Sequence, residues 1–129
     1  MGIRVEWDNP EKTIIRHIYE GTWTIDDYYG LIDENYQQID SVDHRVDIIN
    51  DLRLMAGTPP NMVPAIRYAA RKAHKREGIN VMVASTRYVQ MLVDAIDRAV
   101  GKPTLVIHTQ TMEEAREIIA KSRAEQVEL

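Results

Sequence analysis

Chemistry in this 129-residue chain would have to come from a few groups: the Asp51 carboxylate and Arg53 guanidinium, the hydroxyls of Thr58, Ser85, Thr86 and Thr109, and the His108 imidazole. Each ends or follows a run of β-forming residues, in the segments Asp51–Asn61, Ser85-Thr86-Arg87 and His108-Thr109-Gln110-Thr111. Where such strands run parallel, ligands bind at their carboxyl ends, because loops and helix N-termini gather there. The three segments are therefore expected to share one polar edge, with hydroxyls and free N–H groups suited to an anion. The competing reading is that Thr58, Ser85, Thr109 and Thr111 stand where helices take caps. A Ser85/His108/Asp51 triad can be drawn, but no Gly-x-Ser-x-Gly elbow accompanies it. No catalytic residue is assigned.

Metal and cofactor chemistry find little to build on. His17, His44, His74 and His108 fall on different elements, no His-x-x-x-His or Asp-rich loop occurs, and there are no cysteines. The glycines are isolated, so no phosphate-cradling motif is present. Neither a metal nor a cofactor is expected.

The elements that must position these groups are read from hydrophobic period. Ile3-Arg4-Val5-Glu6-Trp7 alternates, Asp8-Asn9-Pro10 turns, and Thr13–Tyr19 is again β-rich, which predicts an antiparallel pair ended by Gly21. Thr24-x-x-Asp27 resembles a capping box, and Ile25, Tyr28, Tyr29, Ile32, Tyr36 and Ile39 recur at helical spacing. Val46–Asn50 predicts a third strand finished by Asp51 and Arg53. Gly57 would permit the bend that follows, Pro59 and Pro60 delay the helix, and Thr58 or Asn61 would cap it. A second helix is expected with Val63, Ile66, Ala70 and Ala73 on its buried face and Gly78 as its stop. Its outer face would be basic, through Arg67, Arg71 and His74 in one stripe and Tyr68, Lys72 and Lys75 in another.

Ile79–Ala84 reads as a fourth strand, and Val89, Leu92, Val93, Ile96 and Val100 as a third helix closed by Gly101. Thr104–His108 reads as a fifth strand, and a last helix capped by Thr111 runs to Lys121, with residues 122–129 expected to fray. The order β-β-α-β-α-β-α-β-α implies one α/β domain over 1–129. Its five-stranded sheet is mixed but mostly parallel, with four covering helices.

Composition narrows the class further. An apolar content of 44% can supply a core, no apolar run is long enough to cross a bilayer, and no signal pattern is evident, so a cytoplasmic protein without membrane insertion is expected. Residues 1–64 hold 5 Lys/Arg against 12 Asp/Glu and residues 65–129 hold 11 against 8. That polarity suits protein partners or a homodimer as well as ordinary solvated faces. With a net charge of −4, and only Tyr68 to stack on the basic helix, nucleic acid is not an expected partner.

The element order, the length, and Val46-Asp47-Ile48-Ile49-Asn50-Asp51-Leu52-Arg53 running into a loop and then a helix resemble the STAS family of sulfate transporter and anti-sigma-factor antagonist domains. The likeness is to its small stand-alone bacterial members, and it spans Ile3 to about Lys121. It implies a non-catalytic regulatory module that works through protein contacts, with a kinase, phosphatase or anti-sigma-like partner. In classical antagonists the loop carries a phosphorylated Ser or Thr within Asp-Ser-x-Gly. Here Thr58 is the corresponding hydroxyl, with Gly57 before it and Pro60 where the pattern has Gly. The alternative is a small anionic-ligand or lipid-binding protein, or a minor enzyme, using the polar edge around Asp51, Arg53, Gly57, Asn61, Ser85, Thr86, His108 and Thr109.

Overall fold

The computed structural model describes residues 2–101 and 107–127. The strands are β1 (Gly2–Trp7), β2 (Ile14–Gly21), β3 (Val46–Met55), β4 (Glu77–Val83) and β5 (Ile107–Thr109). The helices are α1 (Ile25–Asp40), α2 (Val63–Arg71), α3 (Thr86–Val100) and α4 (Met112–Val127). One mixed sheet has the order β1-β2-β3-β4-β5, with β1 antiparallel to β2 and every later pair parallel. Because each parallel step advances in the same direction and such crossovers are right-handed, α1, α2 and α3 must lie on one face. That face packs Tyr19, Trp23, Leu31, Leu52, Ala84 and Val89 in one cluster and Ile15, Ile39, Val46 and Ile48 in another. On the other face α4 packs Met112, Ala115 and Ile119 over Ile14, Ile49, Val81 and Val83.

The starts of α1, α3 and α4 follow the expected chemistry. Thr24 and Asp27 form a reciprocal capping box on α1, with bonds of 3.0 and 2.9 Å. Ser85 Oγ accepts from Tyr88 N at α3, and Thr111 Oγ1 accepts from Glu114 N at α4. Gly101 closes α3 in the left-handed conformation, where a side chain would be strained.

Several boundaries differ from the sequence reading. β3 runs on to Met55, so Asp51 and Arg53 lie within it, and Asp51 pairs with Ile18 on one side and Val83 on the other. α2 stops at Arg71, and Gly78 belongs to β4 instead of ending a helix. A Cβ on Gly78 would collide with Asp47 Oδ1 and the Arg45 guanidinium, so glycine is needed for that close approach. The α2 residue that is fully buried is Ala65, whereas Val63, Ala70 and Ala73 are exposed. His74 is buried against Asp40 at 3.1 Å and does not extend the basic stripe. Neither Thr58 nor Asn61 caps α2: its N-cap is Met62, without a side-chain bond, and Asn61 is left-handed at φ 62°. Gly57 has ordinary φ and open space around it, so the bend does not depend on it. The predicted start of the fifth strand, 104–106, lies outside the described residues.

α4 is helical to Val127, past the end expected at Lys121. Its last turns are held by the buried carboxylate of Asp47, which accepts from Arg45 Nε at 2.9 Å, Ile79 N at 2.8 Å and Arg123 Nη1 at 2.9 Å. Arg45 also donates to Ser122 Oγ and Gln126. On the part of the α4 face that α4 leaves open, opposite charges alternate from Glu20 through Arg4, Glu6, Arg16 and Asp8 to Arg116.

Candidate functional site

A cavity of about 270 Å³ lies between the sheet and α1, α2 and α3. It exists because the facing surfaces carry side chains too small or too polar to fill the layer. On the sheet these are His17, Asn50 and Asn80; on the helices they are Ala69 and Ala95, with Ala73 just beyond α2. Tyr19, Trp23, Tyr28, Ile32, Leu52, Met55, Met62, Ile66, Leu92 and Ile96 make the rest of the wall largely apolar.

The floor is polar and continuous. His17, 4% exposed, has Nε2 at 2.8 Å from Asn35 Oδ1 and Nδ1 at 3.2 Å from Asn50 Oδ1. Asn50 donates to Asn80 Oδ1, and Asn35 Nδ2 reaches Glu77 Oε1 at 3.4 Å. Burial pulls the His17 imidazole below its ordinary value, against the raising effect of its bonds to Asn35 and Asn50, so the neutral ring is favoured. A neutral ring donates from one of its nitrogens and accepts at the other, from an asparagine amide turned to present its N–H. Burial also pushes Glu77 up, with the Asn35 bond and nearby His74 partly opposing. The same desolvation pushes Tyr28 up to about 12 and Tyr19 well upward, so both hydroxyls stay protonated. Trp23 packs on Tyr19 and Tyr28 with centroids 5.4 and 5.9 Å away, and its buried Nε1 has no acceptor among the described residues.

No family model matches the chain, and no curated protein does. Among solved structures, it is similar to an uncharacterized protein of the DUF3478 family with a SpoIIAA-like fold, from Shewanella loihica PV-4. The TM-score is 0.66 at 10% identity, over 90% of this chain and 92% of that one. The fold is SpoIIAA-like. This agrees with the STAS-like architecture expected from the element order and, at that identity, speaks to architecture alone.

The SpoIIAA-like sheet divides the expected polar edge into two. Arg53 and Ser85 line a shallow cleft with Tyr88 and Gln110, whereas Thr58 lines the cavity on the helical side. Arg53 is committed to Asp51 through two 2.9 Å bonds. Burial raises the Asp51 carboxyl, but the side-chain and backbone bonds from Arg53, with Arg53 and Arg16 charge, outweigh it and hold the group below its ordinary value. Thr86 Oγ1 accepts from Gln110, Thr109 Oγ1 donates to Thr111 O, and His108 Nε2 lies 2.7 Å from Ala84 O. With Ser85 capping α3, the drawn triad is not assembled.

Of the residues that build the cavity floor, Asn35, Asn50, Glu77 and Asn80 belong to no sequence motif, and His17 stands out in the sequence only as one of four scattered histidines. Their signal is there in kind: a histidine inside Ile14–Tyr19 and an asparagine inside each of two strands rich in Ile and Val, since a polar residue in a covered strand must find partners. Among the described residues, no helix is long and apolar enough to cross a membrane.

Proposed function

We propose that this chain is a non-catalytic, STAS-like binding module that holds one small, mostly apolar molecule between its sheet and α1–α3. The observation that carries this reading is the cavity: an apolar chamber with a convergent polar floor is the common form of a small-molecule site. Its volume is near the low end of such sites, which run from about 300 Å³ upward. The commitment of Ser85 and His108 to a cap and a carbonyl favours binding over nucleophilic chemistry.

The test is a thermal-shift screen of alkyl and aromatic amphiphiles on the wild type and on Ala69→Leu, read alongside Trp23 emission. A true occupant at a hundredfold excess over its Kd adds about 2.7 kcal/mol. Ala69→Leu should abolish that gain while leaving the unliganded protein at least as stable, by about 0.5–2 kcal/mol for a filled cavity. A screen with no shift, or shifts that Ala69→Leu leaves unchanged, would sink the reading.

A second reading, regulation through a protein partner, is supported by Thr58, which is exposed, lines the cavity and caps no helix. Phosphate there would put about −2 charge beside the cavity. Intact-mass measurement of the native protein tests it, and an unmodified Thr58 with no partner recovered would remove it.

A further inference from the structure

We propose that the cavity selects molecules whose polar end is uncharged and both donates and accepts a hydrogen bond, a hydroxyl or a primary amide, with the apolar body lying along β3. This deepens the binding reading and rests on it. Asn80, exposed where it lines the cavity, accepts one bond from Asn50, and its own amide N–H groups bond to no other described residue, so it offers donors and an acceptor there. Behind it the chain Asn50–His17–Asn35–Glu77 is built from groups that can each reverse donor and acceptor roles, except for the terminal carboxylate.

Charged heads meet poorer surroundings. The charged side chains on the cavity wall are Glu77 and Lys72. Glu77 already accepts from Asn35 and would repel a carboxylate. Lys72 keeps Nζ over the Tyr36 ring, 5.2 Å from its centroid. A carboxylate or ammonium would therefore give up part of its hydration for Lys72 or Glu77 groups that already have partners, and that loss is costlier than for a hydroxyl. A bare hydrocarbon is disfavoured for the opposite reason. Trp23, only 8% exposed and lining the same cavity, has an Nε1–H donor with no acceptor among the described residues, so an oxygen on the occupant is rewarded there.

The experiment uses the full chain and four probes with one tail: 1-decanol, decanamide, decanoate and decylamine, titrated near neutral pH and read by thermal shift and, in Trp7→Phe, by Trp23 emission. Decanol and decanamide are expected to bind about tenfold or more tighter than the two ions, the equivalent of about 1.4 kcal/mol. Asn80→Leu should narrow that preference while decyl compounds still bind, and the milder Asn80→Ser serves if the leucine variant does not fold. Equal binding of all four heads, or tighter binding of decanoate, overturns the inference but leaves the binding reading standing. Tighter binding of decylamine that Glu77→Gln abolishes also overturns it. Failure of all four to bind removes the inference together with the binding reading.

Discussion

His17 sits mid-strand, fully enclosed, with a partner on each ring nitrogen. Its folded-state value is lowered, so the unfolded chain binds the extra proton first. Stability from this residue is present above about pH 6.5 and is lost as pH falls from there toward the folded value. Glu77, which is raised, has the opposite sign: it favours the fold at low pH and costs stability as pH rises through its unfolded value. We expect denaturant titrations between about pH 5 and 7.5 to show a falling midpoint on the acid side, and His17→Gln to flatten it. An unchanged slope in His17→Gln would place the acid sensitivity elsewhere. At this scale the sequence was only partly legible. Ser85 and Thr111 were readable as caps because capping is local, whereas His17, Asn35 and Asn50 come from three elements whose meeting no local pattern announces.

Of the two helices α1 and α2, α2 has less to hold it. It has nine residues, one of them fully buried, and its N-cap makes no side-chain bond. Its outer attachment to α1 is a latch in which Tyr68 Oη donates to Asp33 at 2.6 Å and the Tyr68 ring meets Tyr29 edge-on at 5.0 Å. Hydrogen exchange should therefore find α2 amides opening before those of α1, and Tyr68→Phe should quicken α2 further with little effect on global unfolding. Equal protection across the two helices would refute that ranking. At the opposite face, Gly78→Ala should cost about 1–3 kcal/mol, because the added methyl overlaps Asp47 and Arg45. The same variant should loosen the end of α4, measurable as faster exchange around Ser122–Gln126. Element order was recoverable from hydrophobic period, but ends were not. Gly78 reads as the α2 stop because glycine commonly ends helices, and only the fold reveals that a carboxylate occupies the space of its missing side chain.

Over the whole molecule, a strand order that never reverses places three crossover helices on one face and leaves α4 to cover the other. The expected single edge of polar loops failed for this reason. Consecutive residues along β3 point to opposite faces, so Asp51 and Arg53 serve the α4 side while Asn50 and Leu52 serve the cavity. Hydrophobic period indicates an α/β chain and composition enough apolar residues for a core, but a void is a shortage of volume at facing positions, and that is visible only when the layers meet.

The charged ladder from Glu20 to Arg116 has a consequence for how the protein behaves in crowded solution. β1 forms the border of the sheet, where unpaired backbone groups could template the addition of another chain. Arg4 and Glu6 stand on that border, each engaged to a neighbour of opposite sign. An incoming strand would have to break these pairs or bury them beside its own side chains, so ion pairs that contribute little to folding act as a guard against fibrous growth.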